Sequence, residues 1–226
     1  TYFINLDIEE DEVRRMYNRS FPRPELQRVS RNPNRSNDKI TTNNLETIQQ
    51  KQLLTFFPVN ERNISIGPDF IDVIPDIIAT RDCNSISVNI GQDDILPAEI
   101  FNSCTLKELN VSQCNITVVP KSIDKMVSIE KLLMWNNNIY DLPQSFAKLS
   151  SLKVLNLSQN PLSIVPDSIQ QRKNLERLFL SHTNITTLPD WLLSLPKLSQ
   201  LDIKGLNISN AVLLNLLTSK GVDVRI

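Results

Sequence analysis

The chain has 226 residues, of which 40% are hydrophobic and 22% charged, and its formal net charge is −1. That balance is ordinary for a globular protein and argues against a whole-chain polycation built for nucleic acid or a membrane surface. No run of 18 apolar residues occurs, so nothing reads as a membrane-spanning helix.

The first twenty residues are acidic and then basic rather than apolar, so they do not read as a signal peptide; a start at Thr1 without Met reads as a fragment or a processed chain. Asp7–Asn18 has its acids first and its bases later, the order that suits a helix dipole. Ser20–Thr42 is rich in Pro, Asn, Arg and Ser and reads as a linker. Between Val13 and Ile40 eight basic residues face only Glu25 and Asp38. This basic stretch reads first as a solvated tether, with contact to an acidic partner or a phosphate as the alternative. In Asn43–Phe57, Leu45, Ile48, Leu53, Leu54 and Phe57 fall at near-helical spacing, Asn43 and Glu46 form a capping pair, and Pro58 ends the run.

From residue 61 onward the chain repeats. Leu106-KE-Leu109-N-Val111-SQ-Cys114-N-Ile116 is followed at a period of 23 by lines beginning at Ile129, Leu152, Leu175 and Leu198. Each fits the apolar places of L-x-x-L-x-L-x-x-(N/C)-x-L, and the first three also fit its N/C place. Pro120, Pro143, Pro166 and Pro189 recur fourteen places after the first apolar residue, each followed three residues on by Ile123, Phe146, Ile169 or Leu192. The register runs back through Cys83-NS-Ile86-S-Val88 and Glu61-RN-Ile64-S-Ile66, and forward to a truncated strand at Gly221-VD-Val224-R-Ile226. The leucine-x-leucine core of each line is a short strand with alternate side chains turned inward. Asn137, Asn160 and Cys114 stand where a side chain can bond turning backbone, Thr183 substitutes in part, and Leu206 does not. The unit from Leu198 is therefore expected to be irregular and to have a C-terminal capping role. One unit cannot bury its apolar edge alone, so the units must stack.

These residues resemble the leucine-rich-repeat family. The 23-residue unit looks most like the Ras-suppressor type of intracellular repeat, also widespread in bacterial effectors. The resemblance implies an α/β repeat solenoid, a horseshoe with short parallel concave strands over 61–226 and a helical N-terminal cap and linker over 1–60. The cap is assigned to 43–57, because the first unit's apolar edge needs cover.

Three cysteines, Cys83, Cys104 and Cys114, make a poor disulfide framework and read as small hydrophobes of a reducing compartment. The expected location is cytoplasmic, or the host cytoplasm for a secreted bacterial effector. Eight Asn-x-Ser/Thr triplets occur, five of them at two fixed places in the repeat (Asn110, Asn115, Asn156, Asn184 and Asn207), and they read as by-products of the repeat. Enzyme chemistry has few carriers. His182 is the one histidine, and four glycines leave no phosphate-cradling loop, so no cofactor, metal or small-molecule substrate is expected.

On the inner sheet most outward positions are small or polar, and Leu133, Trp135 and Phe179 stand out, with Val154, Arg177 and His182 close by. Apolar and aromatic side chains gathered on a sheet face, with arginine beside them, fit a protein partner. The mixed-sign rim of Lys107, Glu108, Glu130, Lys131, Lys153, Glu176 and Arg177 suits a protein better than a polyanion. The expected function is a protein–protein interaction module serving as scaffold, adaptor or effector. The alternative is the substrate-recognition domain of a larger enzyme, such as a ligase-type bacterial effector, whose catalytic domain lies elsewhere. A third reading, a receptor ectodomain, lacks the usual cysteine-rich caps. Trp191 falls on a proline-led turn and is expected to pack there.

Overall fold

A computed structural model describes residues 62–67, 71–72, 74–80, 82–90 and 96–226. The expected helix over 43–57, the charge-ordered segment 7–18 and the linker 20–42 lie outside the described residues.

Eight short strands form one parallel sheet in strict sequence order. They are β1 (Asn63–Ile66), β2 (Ser85–Val88), β3 (Glu108–Asn110), β4 (Lys131–Leu133), β5 (Val154–Asn156), β6 (Arg177–Phe179), β7 (Gln200–Asp202) and β8 (Asp223–Arg225). Register pairs every inward residue with its repeat equivalent, from Ile64 and Ile86 through Leu109, Leu132, Leu155, Leu178 and Leu201 to Val224. No strand crosses over another, so each unit touches chiefly its neighbours, the arrangement of a solenoid. From β3 to β7 each strand begins one residue before its central leucine, and the second apolar residue of the pair, such as Val111, follows the strand while remaining buried.

The prolines act through their carbonyls. Pro97, Pro120, Pro143, Pro166 and Pro189 each accept a bond from the amide three residues on, at 2.9–3.2 Å. Each thereby opens a 3-10 turn: Ala98–Asn102, Lys121–Lys125, Gln144–Lys148, Asp167–Ile169 and Asp190–Ser194. A proline has no N–H to lose at a first-turn position, and its fixed φ suits the entry. The turn then aims Ile100, Ile123, Phe146, Ile169 and Leu192 into the core, where all five are fully buried.

The end units differ. The unit containing β1 uses a helix, α1 (Ile74–Thr80), in place of the 3-10 turn. The unit from Leu198 uses α2 (Ala211–Ser219), capped where the Asn210 side chain accepts from the Leu213 amide at 3.1 Å. Leu206 is buried and makes no side-chain bond, which is the irregularity its residue type implies. Its turn is closed instead by the Leu206 amide donating to the Ile203 carbonyl. The core is a single apolar cluster running through all the units.

Candidate sheet-face binding surface

The turn after each strand holds the sheet face in place. Asn137 Oδ1 accepts from the amides of Cys114 and Ile116, at 2.9 and 3.0 Å. Its Nδ2 donates back to the carbonyls of Val111 and Met134. Asn160 repeats the pattern one unit on, through the Ile139 amide and the carbonyls of Met134 and Leu157. Thr183 gives a single bond, Oγ1 to the Leu180 carbonyl at 2.9 Å. At Cys114, Sγ reaches the carbonyls of Val88 and Ser112 at 3.6 and 3.4 Å, and burial pushes the thiol up to about 11. A thiol held protonated in this way is a structural donor and not a nucleophile. The three cysteines form no disulfide; Cys83 and Cys114 are buried and Cys104 is exposed.

One residue before that position the backbone is left-handed. Gln113, Asn136, Gln159 and His182 have φ of 60°, 52°, 55° and 55°, and Gly205 has 75°. Each of the first four amides donates to a carbonyl of the next unit, at Trp135, Ser158, Ser181 and Lys204. His182 is thus fixed by its backbone, and its exposed ring lies against Gly205.

The six candidate binding residues fall on three adjacent units. Register sets Lys131, Val154 and Arg177 side by side, and in the next row Leu133, Asn156 and Phe179. Val154 therefore sits diagonally between Leu133 and Phe179, with Trp135 two residues beyond Leu133. With strands spaced about 4.8 Å, Leu133 and Phe179 stand roughly 10 Å apart with Asn156 between them. Leu133, Trp135 and Phe179 are half-buried, Val154 is only 6% exposed, and Arg177 and His182 are exposed. The three larger apolar side chains are less open, and Val154 much less, than their outward positions in the repeat imply.

The same row shows why this part of the face is apolar. In alternate units the residue there is spent on backbone. The side chains of Asn110, Asn156 and Asp202 accept from the amides of Ser112, Ser158 and Lys204, at 3.2, 3.0 and 3.1 Å. Leu133 and Phe179 occupy the two intervening units, whose turns manage without this bond. The recurrent Asn-x-Ser of the sequence is the same geometry read as letters. Sequence reasoning placed these asparagines on the polar surface and missed that their oxygens are already engaged; spacing to a small residue two places on was the available signal.

Charges on the rim are largely matched. Lys131 pairs with Glu108 at 2.6 Å and Lys153 with Glu130 at 2.7 Å. The hydrogen bond from Lys153, and then its charge, hold the Glu130 carboxyl below the usual range, while the Lys153 ammonium is raised in return. Arg177 lies between Val154 and Gln200 and, among the described residues, makes no side-chain bond or ion pair. A cluster of apolar side chains on two neighbouring rows thus adjoins one uncompensated cation.

Elsewhere, Trp191 is half-buried against the core and its Nε1 donates to Asp167 at 3.3 Å, so it packs as expected. The most exposed large apolar side chains lie off the sheet. Besides Val212 and Ile226 near the C-terminal end, Val118, Tyr140 and Ile164, at 75%, 65% and 60%, precede the prolines of three successive units, at positions that the repeat signature leaves open. Among the described residues no cluster of His, Cys, Asp or Glu is placed to hold a metal, and no helix is long and apolar enough to cross a membrane.

Comparison with known proteins agrees with this geometry. Models of the leucine-rich repeat match residues 162–208, and also 105–126 and 151–171. Among solved structures, a leucine-rich-repeat protein of Leptospira interrogans superposes with a TM-score of 0.60 at 21% identity, over 73% of this chain and 47% of that one. An internalin of Listeria monocytogenes gives 0.58 at 18% identity, over 73% and 46%. The ectodomain of the Arabidopsis thaliana receptor kinase GASSHO1/SCHENGEN3, in complex with CASPARIAN STRIP INTEGRITY FACTOR 2, gives 0.52 at 27%, over 63% and 17%. The chain spans about half the length of the first two and a smaller part of the third. A search of curated proteins gave no significant match.

Proposed function

We propose that this leucine-rich-repeat solenoid is a protein-interaction module that takes its partner on the sheet face, across the units beginning at Ile129, Leu152 and Leu175. Leucine-rich repeats generally serve protein–protein interaction, and the fold alone does not say where. The observation that carries the reading is the apolar cluster of Leu133, Val154 and Phe179, spread over two neighbouring rows of the sheet beside Trp135, with Arg177 unpaired at its edge. Half-buried aromatics have less rotamer freedom left to lose than fully exposed ones, so a partner covering them gains contact area at smaller entropic cost. Arginine next to aromatic side chains is the composition of an energetic hot spot. One of the similar structures, the Arabidopsis ectodomain, is itself a complex, which supports a binding role here.

The test is capture of partners from native lysate by the wild type and by a Trp135→Ala/Phe179→Ala double variant, with folding of both checked by circular dichroism. Loss of such anchors costs about 2 kcal/mol or more, roughly a thirtyfold drop in affinity. Equal capture by the folded double variant overturns the reading.

A further inference from the structure

The turn face holds one group that the sheet-face reading does not use. At the last core position of each unit the chain places Met126, Leu149, Arg172 and Leu195, so an arginine stands in a hydrophobic slot. Arg172 is only 4% exposed. Its Nε and Nη1 are sealed from solvent without a hydrogen-bond partner, and burial lowers its affinity for its proton. An uncompensated buried guanidinium is among the more costly features a core can contain. Filling space does not require it, since Met or Leu serves in the neighbouring units.

The stretches beside it are mostly basic, although Asp167 and Asp190 open the turns that lead into two of them. The five-residue stretches that close the units from 106 to 197 carry Lys125, Lys148, Arg172, Lys173 and Lys197 against one acid, Asp124, which is engaged by Lys148 at 2.8 Å. Contacts stitch these stretches together, as Asn174 bonds the Ser150 carbonyl and Lys197 bonds Asn174. The band is therefore continuous across units.

We propose that Arg172 is the centre of an oxyanion-binding site on the turn face, receiving a carboxylate or phosphate group that approaches across this basic band. Arginine's planar fork matches such groups with two parallel bonds. The long side chain swings outward to meet the anion, exchanging unmet donors for charge-assisted bonds. The site is separate from the sheet face, so either assignment stands or falls without the other.

Titration with orthophosphate, acetate and an acetylated glutamate peptide, followed by calorimetry at constant ionic strength, tests the site. The wild type is expected to bind at least one of them, and whether phosphate or the carboxylates bind tighter identifies the source. Arg172→Leu is expected to weaken that binding roughly tenfold or more while raising Tm, because the slot becomes apolar. Arg172→Met, matching residue 126, replaces it if the leucine variant does not fold. Binding unaltered in the substituted protein, or no saturable binding by the wild type below about 10 mM, overturns the assignment.

Discussion

Cys114 and Asn137 occupy equivalent places in adjacent units and solve the same problem with different chemistry. The asparagine satisfies amides and carbonyls at once, whereas the thiol only donates, at sulfur distances of 3.4–3.6 Å. The raised Cys114 value has a consequence for stability. An ordinary thiol titrates near 9 and this one near 11. As pH rises through 9, the unfolded chain loses the proton while the folded chain keeps it, so the unfolded state binds fewer protons and stability falls. The loss accumulates between about pH 9 and 11 and reaches at most about 2–3 kcal/mol. Urea unfolding across that range is expected to show it in the wild type and not in Cys114→Ser. A Cys114→Ser profile parallel to the wild type would show that folding does not raise the thiol's hold on its proton.

At the scale of the element, the turns after β3 to β7 each need a left-handed residue. Gln113, Asn136, Gln159 and His182 fill it at a cost of roughly 1 kcal/mol each, and Gly205 fills it without strain. Glycine at 205 has a second reason. A Cβ there would come within 2.6 Å of His182 Nδ1. Gly205→Ala is thus expected to destabilise by about 1–3 kcal/mol. Part of that is steric, and should disappear when His182→Ala clears the ring, while the dihedral part remains. A double-mutant cycle by chemical denaturation reads this, and strict additivity would mean the ring yields without cost.

At the scale of the whole solenoid, the described units form a stack whose stability is shared between neighbours. Leu155 is fully buried at the centre of β5, in register with Leu132 and Leu178. Leu155→Ala is expected to cost about 2–5 kcal/mol, because rigid strands on both sides limit collapse into the space. In a nearest-neighbour stack the damage is local first. Amide exchange is expected to quicken most in the units from 129 to 197 and least in α2, and a uniform loss of protection would contradict the stacking description.

Much of this architecture was determined by the sequence itself. One unit cannot bury its own edge, so a period of 23 with fixed apolar places commits the chain to parallel strands in sequence order, to buried residues at those places and to proline-led turns. The sheet-face candidates were found for the same reason, since their positions within the repeat are read by counting. Tertiary structure alone decided how far those positions are open. Strand pairing sets Val154 between Lys131 and Arg177 and leaves it 6% exposed, and neighbours leave Trp135 and Phe179 half-buried. It also decided which polar residues are spent on backbone, Asn110 and Asn156 among them, and that Arg172 lies enclosed in a place meant for leucine. Period reports which way a side chain points; what it meets there depends on the residues of the units beside it, which no single line of the repeat contains.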